Sequence, residues 1–267
     1  MDGNLTNEDI ILQSPPENEK ELKAFFNKKA KLIFFDIGSC DGLDSVRYAK
    51  IFPNSKIFAF EPLEKNFLLI KKNMERYKCT NIYPFNLALS EKAGQSEFFV
   101  SSGRPDNIDE YDSWDYGNKS SSLLAPEKHL QSYSWIKFDN KIQIKTQTLN
   151  DFCKKMAIDV IDFIHLDVQG AELMVLKGAK EKINSIKMIW LEVANVELYK
   201  NQPLRADINS YLIKNGFTLL KDTLENNDYG DQLWVNYKYF FKKRTSHFIY
   251  KVYRNVSKRC KCVLKND

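Results

Sequence analysis

The chain has few of the residues that build disulfide or zinc frameworks. It contains five cysteines and three histidines in 267 residues, and only Cys260 and Cys262 lie close together. An odd, scattered set of cysteines argues against a disulfide framework and favours a reducing compartment. No histidine accompanies the Cys260 and Cys262 pair at a zinc-ligand spacing, so the sequence offers no zinc pattern.

Long apolar runs are also missing. No stretch approaches the roughly 18 to 20 apolar residues of a membrane span. The first residues, MDGNLTNEDI, lack the basic start and apolar core of a signal peptide. We therefore expect a cytoplasmic protein. Its 43% apolar and 13% aromatic residues are enough to bury the core of one large domain.

Charge is unevenly distributed. The net charge is +5, yet residues 236–267 hold ten Lys and Arg against one acidic residue, which is a local +9 and leaves −4 for residues 1–235. Apolar residues recur at helical spacing in this segment, so we predict a basic, helical C-terminal extension over 238–267. Its basic face is either solvated while the helix packs on the body, or it contacts an anionic membrane surface; nucleic acid is a weaker alternative.

Apolar strands alternate with amphipathic helices through residues 31–237. Continuous apolar runs such as KLIFFDI at 31–37 and VIDFIHLD at 160–167 indicate strands that are buried on both faces. The last two strands, at 217–222 and 231–238, are close enough in sequence to pair antiparallel. The pattern predicts an α/β fold with a doubly wound, mostly parallel seven-stranded sheet whose last strand is antiparallel.

Two segments interrupt or precede this alternation. Residues 1–30 form an N-terminal extension, with a short amphipathic helix predicted within 17–29. The pattern then dissolves at 101–135, and a loop this long in a compact domain is usually functional or disordered. We predict a substrate-side loop or lid at 101–135, with a partly mobile surface loop as the alternative. Its aromatic residues could stack on a sugar face or form a small satellite core; they are Tyr111, Trp114, Tyr116 and Trp135.

The run FFDIGSCDG at 34–42 leads an apolar strand into a glycine turn. AFEP at 59–62 then ends the next strand on Glu61. Glycines let a ligand approach the turn closely, and a carboxylate at the next strand end can accept hydrogen bonds from both ribose hydroxyls. Together these motifs predict a pocket for a nucleotide-like cofactor.

The glycine turn departs from the dinucleotide-binding pattern. Asp36, Gly38 and Gly42 give D-x-G-x-x-x-G, and Cys40 stands where the middle glycine would be. Carboxylates around this turn would repel a pyrophosphate, whereas they suit a ligand that carries an ammonium and a sulfonium. This favours S-adenosylmethionine over NAD.

Each part of that cofactor has a candidate partner in the sequence. The turn around Gly38, Ser39 and Gly42 would hold the methionine part, and Asp36 would orient its ammonium directly or through water. Glu61 would hold the ribose. At the end of the third strand, predicted over 81–89, Asn86 either faces the adenine edge or is a turn residue.

Further motifs follow in order: SSSLLAP, TLNDF at 148–152 and LDVQGAELMVLKGA at 166–179. With the earlier two, they make the chain resemble the FkbM-like family of class I S-adenosylmethionine-dependent methyltransferases over about residues 30–237. The last motif is the most specific, because it is similar to the family's D-x-x-G-x-E-x-x-V-L-x-G-A pattern. The chain departs from the family at His165, where Lys is common, at Gln169, where Glu is common, and at Asn150, where an acid is usual.

The resemblance implies a methyltransferase domain over 31–237 and O-methyl transfer, commonly to a hydroxyl of a sugar or another natural product. Another alternative is an interaction module that binds the cofactor without catalysis. Methylation of base amines is disfavoured, because such enzymes need a proline-rich acidic loop to hold a flipped base. LDVQG stands at that position here.

A sugar hydroxyl is a poor nucleophile, so a general base or a metal should assist the transfer. Asp167 ends the fourth strand and Glu192 the fifth, where open α/β sheets bind ligands. This pair would contact the acceptor or hold a divalent ion such as Mg²⁺. Alternatively, Asp167 caps the next helix and Glu172 ties the turn. His129 is a further candidate base with a suitable pKa, or else an exposed loop residue.

Overall fold

The computed structural model describes residues 6–105, 116–129, 133–224 and 227–240. The strands are β1 (Ile33–Ile37), β2 (Lys56–Phe60), β3 (Ile82–Phe85), β4 (Ala88–Leu89), β5 (Gly94–Gly103), β6 (Ile136–Gln147), β7 (Ile161–Leu166), β8 (Ile186–Ala194), β9 (Phe217–Asp222) and β10 (Tyr229–Asn236). The helices are α1 (Asn7–Gln13), α2 (Glu19–Phe25), α3 (Leu43–Ile51), α4 (Glu64–Arg76), α5 (Leu149–Lys155), α6 (Glu172–Gly178), α7 (Arg205–Lys214) and α8 (Tyr237–Phe240), with 3₁₀ turns at Tyr116–Ser120 and Lys180–Ser185.

The main sheet has seven strands in the order β3-β2-β1-β7-β8-β10-β9. Neighbouring strands from β3 to β8 are parallel, whereas β10 runs antiparallel to both β8 and β9. The doubly wound sheet with an antiparallel last strand is therefore confirmed. Strand order reverses between β1 and β7, and open α/β sheets bind ligands beside such a switch point.

Both faces of the central strands are buried, which explains their continuous apolar runs. On one face, the rings of Phe35 and Phe60 meet Phe152 of α5, with centroids 5.7 and 4.8 Å away. On the other face, Phe34 packs edge-on against Phe52 at a centroid distance of 5.1 Å. Adjacent residues of β1 thus serve two separate hydrophobic clusters, as strand alternation requires.

A second, three-stranded sheet has the order β4-β6-β5. The expectation of one strand over 81–89 is wrong, because β3 ends at Phe85 and β4 begins at Ala88 in the small sheet. Asn86 lies at the break and donates from Nδ2 to the carbonyls of Glu61 and Pro62, both at 3.1 Å. These bonds hold the chain beside the end of β2 and turn it away from the main sheet.

The segments that flank the main domain pack against the same face of the sheet. Leu22 of α2 is fully buried, and Phe240 of α8 contacts Phe25 with ring centroids 4.6 Å apart. Helix α1 was not anticipated from the sequence. Most of the helical extension predicted for 238–267 lies outside the described residues. Among the residues described, none of the helices has the length and apolar character needed to span a membrane.

Candidate active site

A pocket opens at the carboxyl ends of β1, β2 and β7; we refer to it as the cavity. Strand ends, the small sheet and the 3₁₀ turn at Tyr116–Ser120 form its walls. The lining residues are Ile37, Gly38, Cys40, Phe60, Glu61, Pro62, Asn66, Ala88, Leu89, Phe98, Asn118, Lys119, Ser121, Leu123, Asp167, Val168 and Gln169.

The glycine turn brings the ends of β1 and β7 together. Gly38 has a φ of +85°, and a Cβ added there would lie 1.8 Å from the carbonyl oxygen of Asp167. A side chain is thus excluded by the neighbouring strand as well as by the backbone conformation. Gly42, with a φ of +77°, is the N-cap of α3, and a Cβ added there would lie 3.0 Å from the Ile70 side chain; it is not among the residues that line the cavity.

Glu61 lines the cavity, and both of its carboxylate oxygens are held by backbone. Oε2 accepts a hydrogen bond from the amide of Cys40 at 3.0 Å, and Oε1 accepts one from the amide of Leu63 at 2.8 Å. Burial raises the pKa of Glu61 to about 8. A carboxylate has about four acceptor sites, so two remain for ligand hydroxyls. The geometry therefore fits a ribose.

Asp36 is occupied by protein groups instead of facing the cavity. Its Oδ2 accepts from Ser45 Oγ at 2.5 Å, and its Oδ1 lies 3.3 Å from His165 Nδ1. Burial lowers the pKa of His165, but Asp36, Asp44 and Asp167 outweigh it and raise the value to about 9. The raised pKa favours the protonated form of this half-buried histidine, whose positive charge offsets part of the acidic cluster. The contact of Asp36 with the methionine ammonium stays a prediction. The contacts with Ser45 and His165 do not favour it.

Two other predicted cofactor residues brace the turn. Ser39 Oγ donates to the carbonyl of Asp36 at 2.7 Å, and Asn86 donates to the backbone beside Glu61. Neither side chain is among the cavity-lining residues. Their direct contacts with a cofactor stay predictions, while their hydrogen bonds explain how the strand ends keep their shape.

Asp167 and Glu192 are joined through one side-chain amide. Gln169 Nε2 donates to Asp167 Oδ1 at 2.7 Å and to Glu192 Oε2 at 3.1 Å. Burial raises the pKa of Asp167, and burial together with the Asp167 charge raises the pKa of Glu192. The two predicted catalytic carboxylates thus form a pair of weakened acids beside the cavity, suited to taking up a proton.

Glu172 ties the turn between β7 and α6. Its Oε1 accepts from the amides of Val168 at 3.0 Å and Gly170 at 3.2 Å. Burial raises the pKa of this carboxyl to about 7. The structural role that the sequence left open for Glu172 is therefore the one observed.

His129 lies in an aromatic cluster and is not among the residues that line the cavity. It is buried, and the rings of Tyr133, Phe138 and Tyr199 surround it with centroids 5.2 to 5.3 Å away. Burial lowers its pKa. The alternative of an exposed loop histidine is wrong. The catalytic role stays a prediction without a described contact to the cavity.

The long loop supplies a wall of the cavity. Asn118 donates from Nδ2 to Asn66 Oδ1 at 3.2 Å, and Ser122 Oγ donates to the carbonyl of Gln169 at 2.7 Å. We call residues 116–124 the lid segment. Of the four loop aromatics, Tyr111 and Trp114 lie outside the described residues. Tyr116 and Trp135 do not belong to the cavity lining.

The Methyltransferase FkbM domain model matches residues 36–219. This chain belongs to the FkbM methyltransferase family. It is 34% identical over 180 residues to 2-O-methyltransferase NoeI of Sinorhizobium fredii, a match that covers 67% of this chain and 70% of that protein. It is 25% identical over 214 residues to methyltransferase sdnD of Sordaria araneosa, covering 71% and 75% of the two chains.

The fold agrees with this assignment. The crystal structure of methyltransferase FkbM from Methylobacillus flagellatus KT superposes with a TM-score of 0.50 at 13% identity. The match covers 86% of this chain and spans half, 50%, of that longer protein. The family model and the similarity to NoeI show that the chain is an S-adenosylmethionine-dependent methyltransferase, and its fold is that of class I, as the sequence motifs predicted.

The residues of this FkbM methyltransferase suit the cofactor better than they suit a metal. Carboxylate oxygens of Asp167, Glu172 and Glu192 lie within 4.8 Å of one another. However, Glu172 accepts from backbone amides, and the Gln169 NH₂ group lies between the other two. An amide nitrogen with two N–H donors does not ligate Mg²⁺. In this arrangement, the acidic cluster does not fit a resident metal.

Several cavity residues escaped the sequence analysis. Lys119 and Asn118 were inside the long loop, and Asn66 was in an ordinary amphipathic helix, so no local pattern marked them. Gln169 was noticed only as a departure from the family. Its position inside LDVQG, directly after a candidate catalytic acid, was the available signal.

Proposed function

We propose that this methyltransferase transfers the methyl group of S-adenosylmethionine to a hydroxyl oxygen of a sugar or glycan. The observation that carries the proposal is the half-buried Asp167 and Glu192 pair, which Gln169 joins beside the cavity. Methyl transfer from a sulfonium is an in-line displacement, so the acceptor oxygen must be aligned opposite the leaving sulfur and shielded from water.

The donor would lie in the cavity with its ribose hydroxyls on Glu61. Gly38 and Asp167 line the same cavity, which supports a position for the methionine part and the sulfonium near the end of β7. The acceptor would enter from the side of β8. Its hydroxyl would donate to the carboxylate pair, which takes up the proton as the new C–O bond forms.

Polar and aromatic groups continue away from Glu192 on the acceptor side. Asp231 of β10 is the register partner of Glu192, and Tyr229 lies two residues away on the same face of that strand. The hydroxyls of Tyr133 and Tyr229 are hydrogen-bonded at 2.5 Å, and Tyr229 is 44% exposed. Carboxylates that accept hydroxyl hydrogens beside exposed aromatic rings suit a sugar better than an apolar acceptor.

Similarity to NoeI supports oxygen as the methylated atom, since that relative is described as a 2-O-methyltransferase. The Gln169 amide between the carboxylates supports transfer without a resident metal at this site. We therefore expect methyl transfer to survive chelation by EDTA.

A direct test is to incubate the purified protein with S-adenosylmethionine labelled in its methyl group and a panel of acceptors. The panel should contain neutral oligosaccharides, nucleotide sugars, phenolic natural products and RNA. We expect label in a saccharide as a methyl ether that resists mild base, with none in the Glu61→Ala variant. Label only in phenols, in RNA or in a base-labile ester would overturn the proposed acceptor class.

A further inference from the structure

Gln169 has hydrogen-bond partners on three sides. Its Nε2 donates to Asp167 at 2.7 Å and to Glu192 at 3.1 Å. Its Oε1 accepts from Tyr199 Oη at 3.2 Å, and its backbone carbonyl accepts from Ser122 Oγ at 2.7 Å. One residue therefore connects both candidate catalytic carboxylates with the lid segment.

The backbone of Gln169 is held in an unusual conformation. Its φ is +54°, in the left-handed region that non-glycine residues seldom adopt. Such conformations persist where the surrounding structure imposes them, and they cluster at functional sites. Here Glu172 fixes the turn through the amides of Val168 and Gly170. The strained backbone aims the side-chain amide between the two acids.

We propose that Gln169 is a positioning residue that holds Asp167 and Glu192 as one hydrogen-bonded pair and ties that pair to the lid segment. The inference rests on the proposed function only in taking this pair as the proton acceptor. An amide has two N–H donors, so each carboxylate receives one while both stay able to ionise. An ionised glutamate at this position would donate nothing and would add a third negative charge.

The amide acts against the effect of burial on the pKa of Asp167, in the same direction as the charges of His165 and Lys119. Burial raises the pKa of Asp167, and donation from Gln169 lowers it. Losing the donor should therefore let Asp167 take up a proton at a higher pH. The remaining charged groups around the pair come from every packed element: His165 on β7, Asp44 on α3, Lys119 on the lid segment, Glu172 on α6 and Asp231 on β10.

Two cofactor analogues can read the charge of this pair without any acceptor. S-adenosylhomocysteine has a neutral sulfur, whereas sinefungin carries an ammonium group near the position of the methylated sulfonium. Because Asp167 lines the cavity, its ionised form should favour sinefungin. The ratio of the two affinities, measured by calorimetry across the pH range, therefore titrates the pair.

The Gln169→Met variant keeps the length of the side chain and removes both donors. We expect the pH at which sinefungin becomes preferred to rise by about one unit, which is a loss of about tenfold in that preference at pH values below the wild-type midpoint. S-adenosylhomocysteine affinity should change by less than the preference does. A merely structural role would weaken both analogues equally and leave the pH midpoint in place, and that result would overturn the proposal.

Tyr199→Phe is the matched variant, because it leaves the Gln169 amide in place and removes the hydroxyl that lies 3.2 Å from Gln169 Oε1 and 2.8 Å from the Ser120 carbonyl. It should shift the midpoint in the same direction by a smaller amount. If Gln169→Met does not fold, Tyr199→Phe provides the test by itself. An unchanged midpoint in Tyr199→Phe would then overturn the proposed positioning role of Gln169. Neither measurement needs an acceptor. A wrong positioning role for Gln169 and a wrong acceptor class would therefore give separate results.

Discussion

The proposed donor side and the proposed acceptor side of the site are built differently. On the donor side, backbone amides of the turn after β1 and of the segment after β2 fix the carboxylate of Glu61. On the acceptor side, Asp167 and Glu192 are fixed by another side chain, that of Gln169. Backbone geometry is set by short motifs, whereas a side-chain pair depends on distant strands. The contrast suggests a constant donor site next to an acceptor site that substitutions can retune.

The largest effect is expected where the two sides touch, at Gly38. A Cβ there would lie 1.8 Å from the Asp167 carbonyl oxygen, so Gly38→Ala must separate β1 from β7. We expect a loss of about 3 kcal/mol or more in the free energy of unfolding, as for other severe overpacking in a core. Chemical denaturation measures this loss.

Gly216→Ala is the control for Gly38→Ala. Its φ of +80° is close to that of Gly38, but nothing lies within 4 Å of the added Cβ. Gly216→Ala should lower the free energy of unfolding only by the cost of a left-handed backbone at alanine, about 1 to 2 kcal/mol. If both variants lost the same free energy of unfolding, the close approach of Gly38 to the Asp167 carbonyl would not be what requires a glycine at position 38.

Glu192→Gln should affect the acceptor side alone. It removes one proton acceptor of the pair while it keeps the size of the side chain. We expect methyl transfer to fall about 100-fold, which is within the range for removal of a general base. The rate is measured with labelled cofactor on the saccharide found in the acceptor screen. A rate within about threefold of the wild type would exclude this pair as the base.

Cofactor binding should depend on pH through Glu61. Burial raises its pKa to about 8, so the carboxyl is protonated in the empty protein below that pH. Ribose hydroxyls favour the ionised form, so S-adenosylhomocysteine affinity should rise toward pH 8, by up to about tenfold per unit. Calorimetric titrations should show this slope in the wild type and a flatter profile in Glu61→Gln. Parallel profiles would assign the dependence to another group.

The smallest effect is expected at the link between the lid segment and Gln169. Ser122 is buried, donates to the Gln169 carbonyl and accepts from the Leu124 amide at 3.0 Å. Ser122→Ala should destabilise the protein by about 1 to 2 kcal/mol, for the loss of these bonds. Thermal unfolding tests this against Ser134→Ala, an exposed site. Equal melting temperatures in the two variants would show that the hydrogen bonds of Ser122 do not stabilise the protein.

The sequence predicted the proposed donor side better than the proposed acceptor side. The turn at Gly38, Glu61 and the strands that carry them were predictable because each lies in one short motif. The break between β3 and β4 was not, since it depends on hydrogen bonds from Asn86 to the end of β2. The pairing of His165 with Asp36 was not predictable either, because it depends on the register of two strands that are distant in sequence.

The most direct test of separate donor and acceptor sides is calorimetric titration of S-adenosylhomocysteine into two variants. Glu61→Ala should weaken binding about 100-fold, for the loss of two charge-assisted hydrogen bonds to the ribose, with exposed Glu64→Ala as its control. Glu192→Gln should bind within about twofold of the wild type. If Glu192→Gln lost as much affinity as Glu61→Ala, or if Glu61→Ala lost none, separate donor and acceptor sides would be contradicted.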